Sequence, residues 1–180
     1  MCGIVGAVTE RRVRNILLEG LQRLEYRGYD SAGLATLESD NKILRNRQIG
    51  KVANLVAEVG NLDLNGTIGI AHTRWATHGS VIVENTHPHM SGENLALVHN
   101  GIIENHQDLR AKLEAKGIKF HSQTDTEVIA HLIQNHLEKG KGFEQAVISA
   151  SNELKGAYAL GIINKKDPEQ LIGVRNQSPL

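Results

Sequence analysis

Two hydrophobic rhythms divide the chain. Short, mostly apolar runs at 3–8, 68–72 and 95–99 have strand length and predict buried strands, the first of them covered on both faces. Residues 34–38 and 42–49 alternate polar and apolar around the turn-forming Ser39-Asp40-Asn41 and predict a hairpin exposed on one face. Elsewhere the spacing changes to three and four. Val13, Ile16, Leu17, Leu21 and Leu24 mark a helix over 11–26, with Arg11, Arg12 and Arg14 on its solvated side. A short helix follows at 52–59. Residues 102–105 lead into a helix ending near 116, with Leu109 and Leu113 inward and Gly117 as its stop. Thr124-Asp125-Thr126-Glu127 reads as a capping box for the helix marked by Val128, Ile129, Leu132, Ile133 and Leu137. Phe143, Ala146, Val147, Ala150 and Leu154 mark another at 143–155. A brief strand is expected at 118–120, and two more at 157–164 and 170–175, joined through Asp167-Pro168. Strand pairs and helix pairs therefore alternate without strict strand-helix-strand crossovers. That pattern favours an α+β fold of layered sheets covered by helices over a doubly wound one.

The 180 residues are 40% hydrophobic, enough for a substantial core, and one domain is the default at this length. Twenty basic residues balance twenty acidic ones. A zero formal charge argues against a general nucleic-acid binder or a membrane-surface module, both of which usually carry a basic excess. A single cysteine excludes an internal disulfide, and the N-terminus has no apolar signal segment, so a cytoplasmic, reducing setting is expected.

That cysteine is Cys2, where removal of Met1 would make it the first residue. It would then carry a thiol of pKa about 8.5 and an α-amine of about 7.7 to 8.0, so the amine could serve as base for its own sulfur. The bland alternative is a small buried side chain. Two further stretches carry more chemistry than a connection needs. Residues 25–33, Glu25-Tyr26-Arg27-Gly28-Tyr29-Asp30-Ser31-Ala32-Gly33, form a loop with aromatics and charges, a candidate site wall. Residues 72–79, His72-Thr73-Arg74-Trp75-Ala76-Thr77-His78-Gly79, hold the one tryptophan, which could equally be an anchor for a surface loop. Asn100-Gly101 after a strand is by default a turn, yet an Asn amide and a Gly N–H can also converge on one oxygen as an oxyanion hole. His87 and His89 lack accompanying ligands at metal-binding spacing, so no metal is expected. Asp125 has a structural role available as a first-turn carboxylate complementing the helix dipole.

Taken together, Cys2-Gly3-Ile4-Val5-Gly6, the Tyr26 to Gly33 segment, His72 to Gly79, His99-Asn100-Gly101-Ile102-Ile103-Glu104-Asn105 and Thr124-Asp125-Thr126-Glu127 resemble the glutaminase domain of the glutamine:fructose-6-phosphate amidotransferases. The likeness covers essentially the whole chain. Other class II amidotransferases share the leading cysteine and an Asn-Gly pair but differ in the arginine loop. The resemblance implies an N-terminal-nucleophile hydrolase fold, with two stacked antiparallel sheets between helical layers. It implies hydrolysis of the L-glutamine side-chain amide to glutamate and ammonia, without cofactor, as the glutaminase half of an enzyme making glucosamine 6-phosphate. Cys2 would be the nucleophile and Asn100 and Gly101 the oxyanion donors. Arg74 would read the substrate α-carboxylate and Asp125 its α-ammonium. Trp75, Thr77 and His78 would belong to a loop over glutamine, with Arg27 and Gly28 beside the nucleophile. It also implies a sugar-phosphate isomerase domain outside this sequence, which is expected to stop short of the glutaminase domain's own end, and a homodimeric full-length enzyme. Two alternatives stand beside it: another class II amidotransferase, and a glutamine-sensing module without turnover.

Overall fold

The structure is a computed structural model and describes residues 2–76 and 79–178. In chain order its elements are β1 (Gly3–Val8), α1 (Arg14–Leu24), β2 (Ser31–Leu37), β3 (Ile43–Ile49), α2 (Val52–Val59), β4 (Ile68–Arg74), β5 (His89–Ser91), β6 (Leu95–Gly101), α3 (His106–Glu114), α4 (Thr126–Glu138), α5 (Phe143–Glu153), β7 (Tyr158–Asn164) and β8 (Leu171–Asn176). Short 3₁₀ turns lie at Glu25–Arg27 and Val83–Asn85. The strands make two antiparallel sheets, in the orders β1-β4-β2-β3 and β5-β6-β7-β8.

Strand alternation sorts the apolar residues into three cores. Val13 at the cap of α1, Leu17 and Leu21 within it and Leu55 of α2 cover Leu34 and Ala71 on the outer face of the first sheet. Ala35, Leu37, Ile68 and Ile70 point the other way, against Ala96, Val98 and Ile163 of the second sheet. Leu97, Leu160 and Ile162 then meet Leu109, Ile129, Ile133 and Val147 of the outer helices. The result is a four-layer α/β/β/α stack, as the α+β expectation required. Because both faces of each sheet are covered over its centre, the interior strands β2, β4 and β7 are buried at every residue and β6 is buried from Leu95 to His99.

Several expectations change at the level of elements. β1 is a sheet edge rather than a strand covered on both faces, and Val8 is 54% exposed. The 34–38 and 42–49 segments do pair, but only β3 has an exposed face, since β2 is flanked by β4 as well. α1 starts at Arg14 rather than 11, because the Thr9 hydroxyl accepts from Arg11 N–H at 2.9 Å and donates to the Arg11 carbonyl at 2.6 Å, a local turn that competes with helix. Residues 118–120 form no strand. Ile118 N–H instead donates to the Leu113 carbonyl beyond the positive-φ Gly117, closing the end of α3. The Thr124–Glu127 capping box is absent too. Glu127 accepts from the main-chain N–H groups of His121 and Ser122, while the cap residue Asp125 makes no side-chain bond to its own helix. β5 had no periodic signal, being three residues long.

One glycine lets the chain approach the first sheet closely. Gly33 of β2 sits opposite His72 of β4, and a Cβ there would collide with the carbonyl oxygen of His87. The segment leading into β5 thus lies directly on the inner face of that sheet. Gly33→Ala is expected to destabilise by roughly 1 to 3 kcal/mol, the usual cost of overpacking. Gly142→Ala, where nothing lies within 4 Å, should cost under about 1 kcal/mol. Urea unfolding of both variants checks this, and equal losses would show that the Gly33 slot has slack.

Candidate active site

The period of two that builds the interlayer also aims the polar residues at its end. On β4, Ile68 and Ile70 face the second sheet, so His72 and Arg74 do as well. On β6, Ala96 and Val98 face the first sheet, and Asn100 follows them. β1 pairs with β4 through Gly3 and Thr73, which sets Cys2, on the same face as Ile4, across from Arg74. Three strands therefore deliver Cys2, Arg74 and Asn100 to one place.

The Cys2 sulfur accepts from Trp75 N–H at 3.2 Å and lies 3.6 Å from the Trp75 carbonyl. Among the described residues these are its hydrogen bonds. Burial pushes the thiol pKa up, against the opposing pull of the Trp75 N–H, so the resting sulfur is a thiol that needs a base. Asn100 Nδ2 donates to the Cys2 carbonyl at 3.2 Å. Ile102 N–H donates to the Ala157 carbonyl, so by antiparallel alternation the N–H of Gly101 points away from β7, towards the edge where β5 has already ended. Gly101 has φ +122°, and a Cβ there would strike the Ala157 carbonyl. Asn100-Gly101 is the end of a strand and not a hairpin turn.

Arg74 is 3% exposed. Its guanidinium lies 3.4 Å from the Ser80 carbonyl, 3.5 Å from that of Gly79 and 3.9 Å from the Asp30 carboxylate. Asp30 also accepts from Ser31 Oγ and from Ala76 N–H, and its own N–H donates to the Arg74 carbonyl. It organises this corner, and the 25–33 segment was its only signal in the sequence. Asp125 uses Oδ2 to accept from Ile103 N–H at 2.8 Å, which leaves its other oxygen for a ligand. Trp75 is 47% exposed and packs edge-on against Tyr29 at 5.2 Å.

Cys2, Arg74, Trp75, Gly101 and Asp125 line one cleft of about 30 Å³, with His87, His99, Thr124 and Thr126 completing it. Sequence reading assigned none of these four to the site outright, with His99 weighed only as a base should the α-amine not serve. His87 was weighed only as a metal ligand, and the threonines only as caps. The Thr126 hydroxyl bridges His87 Nε2 at 3.0 Å and His99 Nδ1 at 2.9 Å, and the rings of His87 and His72 stack at 4.1 Å. Their nitrogens bond hydroxyls and carbonyls rather than converging on a point. Among the described residues no set of three potential metal ligands forms. A larger cavity of about 280 Å³, lined by Arg45, Arg47, His89, Ser122 and Glu127 among others, contains no thiol. Arg27 is half-buried at the end of a 3₁₀ turn and does not line the Cys2 cleft. Gly28 lies behind it, where a Cβ would press on the main chain of Arg74 at 2.8 Å. Met1, Thr77 and His78 lie outside the described residues, so the expectations placed on them are unchanged.

A family model described as "glutamine amidotransferase domain" matches residues 72–180. The chain belongs to the glutamine amidotransferase family. Over all 180 residues it is 57% identical to a protein of Acinetobacter baylyi named glutamine–fructose-6-phosphate aminotransferase (isomerizing), of which it covers 29%. A protein of the same name from Legionella pneumophila is 54% identical over the same length, with 30% covered. The chain thus spans about 30% of the length of the curated relatives it matches. Among solved amidotransferases, that of B. subtilis acting with phosphoribosylpyrophosphate, complexed with ADP and GMP, superposes with a TM-score of 0.78 at 28% identity, covering 92% of this chain and 35% of its own. A structure described as the allosteric regulatory enzyme of purine biosynthesis gives 0.79 at 30%, covering 92% and 36%. With its two antiparallel sheets between helices, this amidotransferase chain has the α+β N-terminal-nucleophile hydrolase fold.

The amidotransferase cleft is backed by imidazoles that burial keeps neutral. It lowers the pKa of His72 and of His89 to about 3 and that of His87 well below its ordinary value. Each is depressed relative to the unfolded chain. Their contribution to stability is therefore complete above pH about 6.5 and is lost as pH falls from there towards 3, because the unfolded state takes up protons the folded state refuses. The expected loss is about 1 kcal/mol per histidine per pH unit below 6. Urea unfolding at pH 7.5 and 5.5 measures it; three such histidines predict a loss of about 4 kcal/mol between these pH values, and a loss under about 2 kcal/mol would contradict the buried neutral trio.

Proposed function

We propose that the chain hydrolyses the side-chain amide of L-glutamine, with Cys2 as nucleophile. What supports the reading is one cleft lined by a thiol, a guanidinium, a glycine and a carboxylate, from just before β1, the ends of β4 and β6 and the start of α4, with the Asn100 amide bonded to the Cys2 carbonyl beside it. Once Met1 is removed, the α-amine of Cys2 takes the thiol proton and the thiolate attacks the amide carbon. Asn100 Nδ2–H and Gly101 N–H stabilise the oxyanion. As the intermediate collapses, the C–N bond breaks, the proton passes to nitrogen and ammonia leaves. Water then opens the thioester to release glutamate and restore the thiol. Among the described residues neither His72 nor His99 hydrogen-bonds the sulfur, which favours the amine over either imidazole as the base.

The head of glutamine carries opposite charges on one carbon. The planar fork of Arg74, which lines the cleft, suits it to pair with the α-carboxylate. Asp125 takes the α-ammonium on its remaining oxygen. Thr77 and His78 complete the wall over the substrate in this reading, with Trp75 beside them and Arg27 and Gly28 behind the nucleophile. The names and lengths of the relatives support one step more. The ammonia would pass to a sugar-phosphate isomerase domain beyond these residues, in a homodimeric enzyme converting fructose 6-phosphate to glucosamine 6-phosphate.

Ammonia release from glutamine by the purified protein tests the reading, together with intact mass after exposure to a glutamine-mimicking electrophile. One adduct on Cys2 and steady turnover are expected. Binding without ammonia would instead indicate a sensing module. Arg74→Lys should lower kcat/KM by about 1.5 to 3 kcal/mol, mainly through KM. Asn100→Ala should cut kcat by about 10² to 10³ with glutamine binding much less affected. Protein retaining Met1 should bind glutamine yet turn it over negligibly. Equal rates with and without Met1 would rule out the amine as base.

A further inference from the structure

A carboxamide presents a donor on one side and an acceptor on the other, with nearly the same shape. A flip of Asn100 would put a carbonyl oxygen where the oxyanion forms, so the amide has to be held one way round. Its Oδ1 lies 2.9 Å from His72 Nε2. The ring's tautomer follows from a third group: the same Nε2 is 3.0 Å from the His99 carbonyl, which can only accept. Nε2 therefore carries the hydrogen, shared between two oxygens. Nδ1 is buried and has no hydrogen-bond partner among the described residues, so a second proton there would be stranded. The ring is itself fixed, stacked at 4.1 Å on His87 on the inner face of the first sheet, with Gly33 at the paired position.

We propose that His72 is a positioning residue whose fixed Nε2–H anchors Asn100 Oδ1 and so keeps Asn100 Nδ2 aimed at the reacting carbonyl. This rests on the reading of Asn100 as an oxyanion donor. His72 makes no hydrogen bond to the Cys2 sulfur, so it acts through Asn100 alone.

The test is a double-mutant cycle with His72→Leu and Asn100→Ala, read as kcat and KM for glutamine hydrolysis. His72→Leu should lower kcat roughly 10- to 100-fold and leave KM within about twofold. Added to Asn100→Ala, it should cost less than about threefold more, because the group it orients is already gone. His72→Gln, which can place an N–H near the position of Nε2, should recover most of the loss, whereas His72→Asn, shorter by one atom, should not. Alkylation of Cys2 by iodoacetamide, which forms no oxyanion, should proceed at an unchanged rate in every His72 variant. If His72→Leu fails to fold, the Gln and Asn variants carry the same comparison. A full additional loss in the Asn100→Ala background, KM rising in step with the fall in kcat, or Gln no better than Asn would overturn the proposal. Unchanged kcat in Asn100→Ala itself would overturn the oxyanion reading instead, so the two failures are separable.

Discussion

Between the two sheets, Ile4, Ile68, Ile70, Ala96 and Val98 pack as an apolar layer, and further along the same strands the lining turns into Cys2, His72, Arg74 and Asn100. Both halves obey the same pleat. A slip of one residue in β4 would turn Gly69 and Thr73 into the layer and Ile70 and Arg74 away from it, so the apolar half locks the register on which the polar half depends. The polar half must then satisfy itself. Buried amides, imidazoles and a guanidinium are costly unless bonded, and here Asn100 bonds His72 and Cys2, His87 and His99 share Thr126, and Arg74 meets Asp30 and two carbonyls. Chemistry is concentrated at the end of the layer where strands from both sheets stop together.

α4 ties that end to the helical layer. Its cap residue Asp125 accepts from Ile103 N–H, just past Gly101, so the strand end carrying Asn100-Gly101 and the helix carrying Asp125 are held in one frame. Glu127 does a similar task on the other side. Burial pushes its pKa up, but hydrogen bonds from His131, His121 N–H and Ser122 more than offset that and hold it at about 2, a fixed carboxylate clasping the 121–122 turn. These bonds explain why the helix starts without the reciprocal capping expected of its sequence. The carboxylates are spent on tertiary links instead.

Asp30 shows how a polar corner is pre-oriented. At 3.9 Å from Arg74 it is at the outer limit of an ion pair, while its oxygens also serve Ser31 and Ala76. Asp30 therefore helps to direct the guanidinium that lines the cleft, where its planar fork suits an incoming carboxylate.

Much was legible from the residues alone. Periodicity located the helices and most strands because each buries one stripe or face, and five ordered motifs pointed to the family because they carry chemistry in short contiguous runs. Cys2, Arg74, Asn100, Gly101 and Asp125 stood out by residue type and position. The rest depended on partners far away in the chain. His87, Thr124 and Thr126 look like loop and cap residues until β5 and α4 fold over the end of the interlayer, and Asp30 looks like one more polar loop residue until it meets Arg74 and Ala76. That β1 is an edge and β2 an interior strand is a property of sheet order, which no local pattern encodes. Nor could the sequence tell a turn from a strand end at Asn100-Gly101: both tolerate positive φ, and only the Ala157 carbonyl packed against Gly101 decides. Local rhythm determines which residues can share a face. Which faces meet is decided by the long-range pairing of strands and the stacking of the two sheets, and here that alone brings residues 2, 74, 101 and 125 into one cleft, with Asn100 bonded to Cys2 beside it.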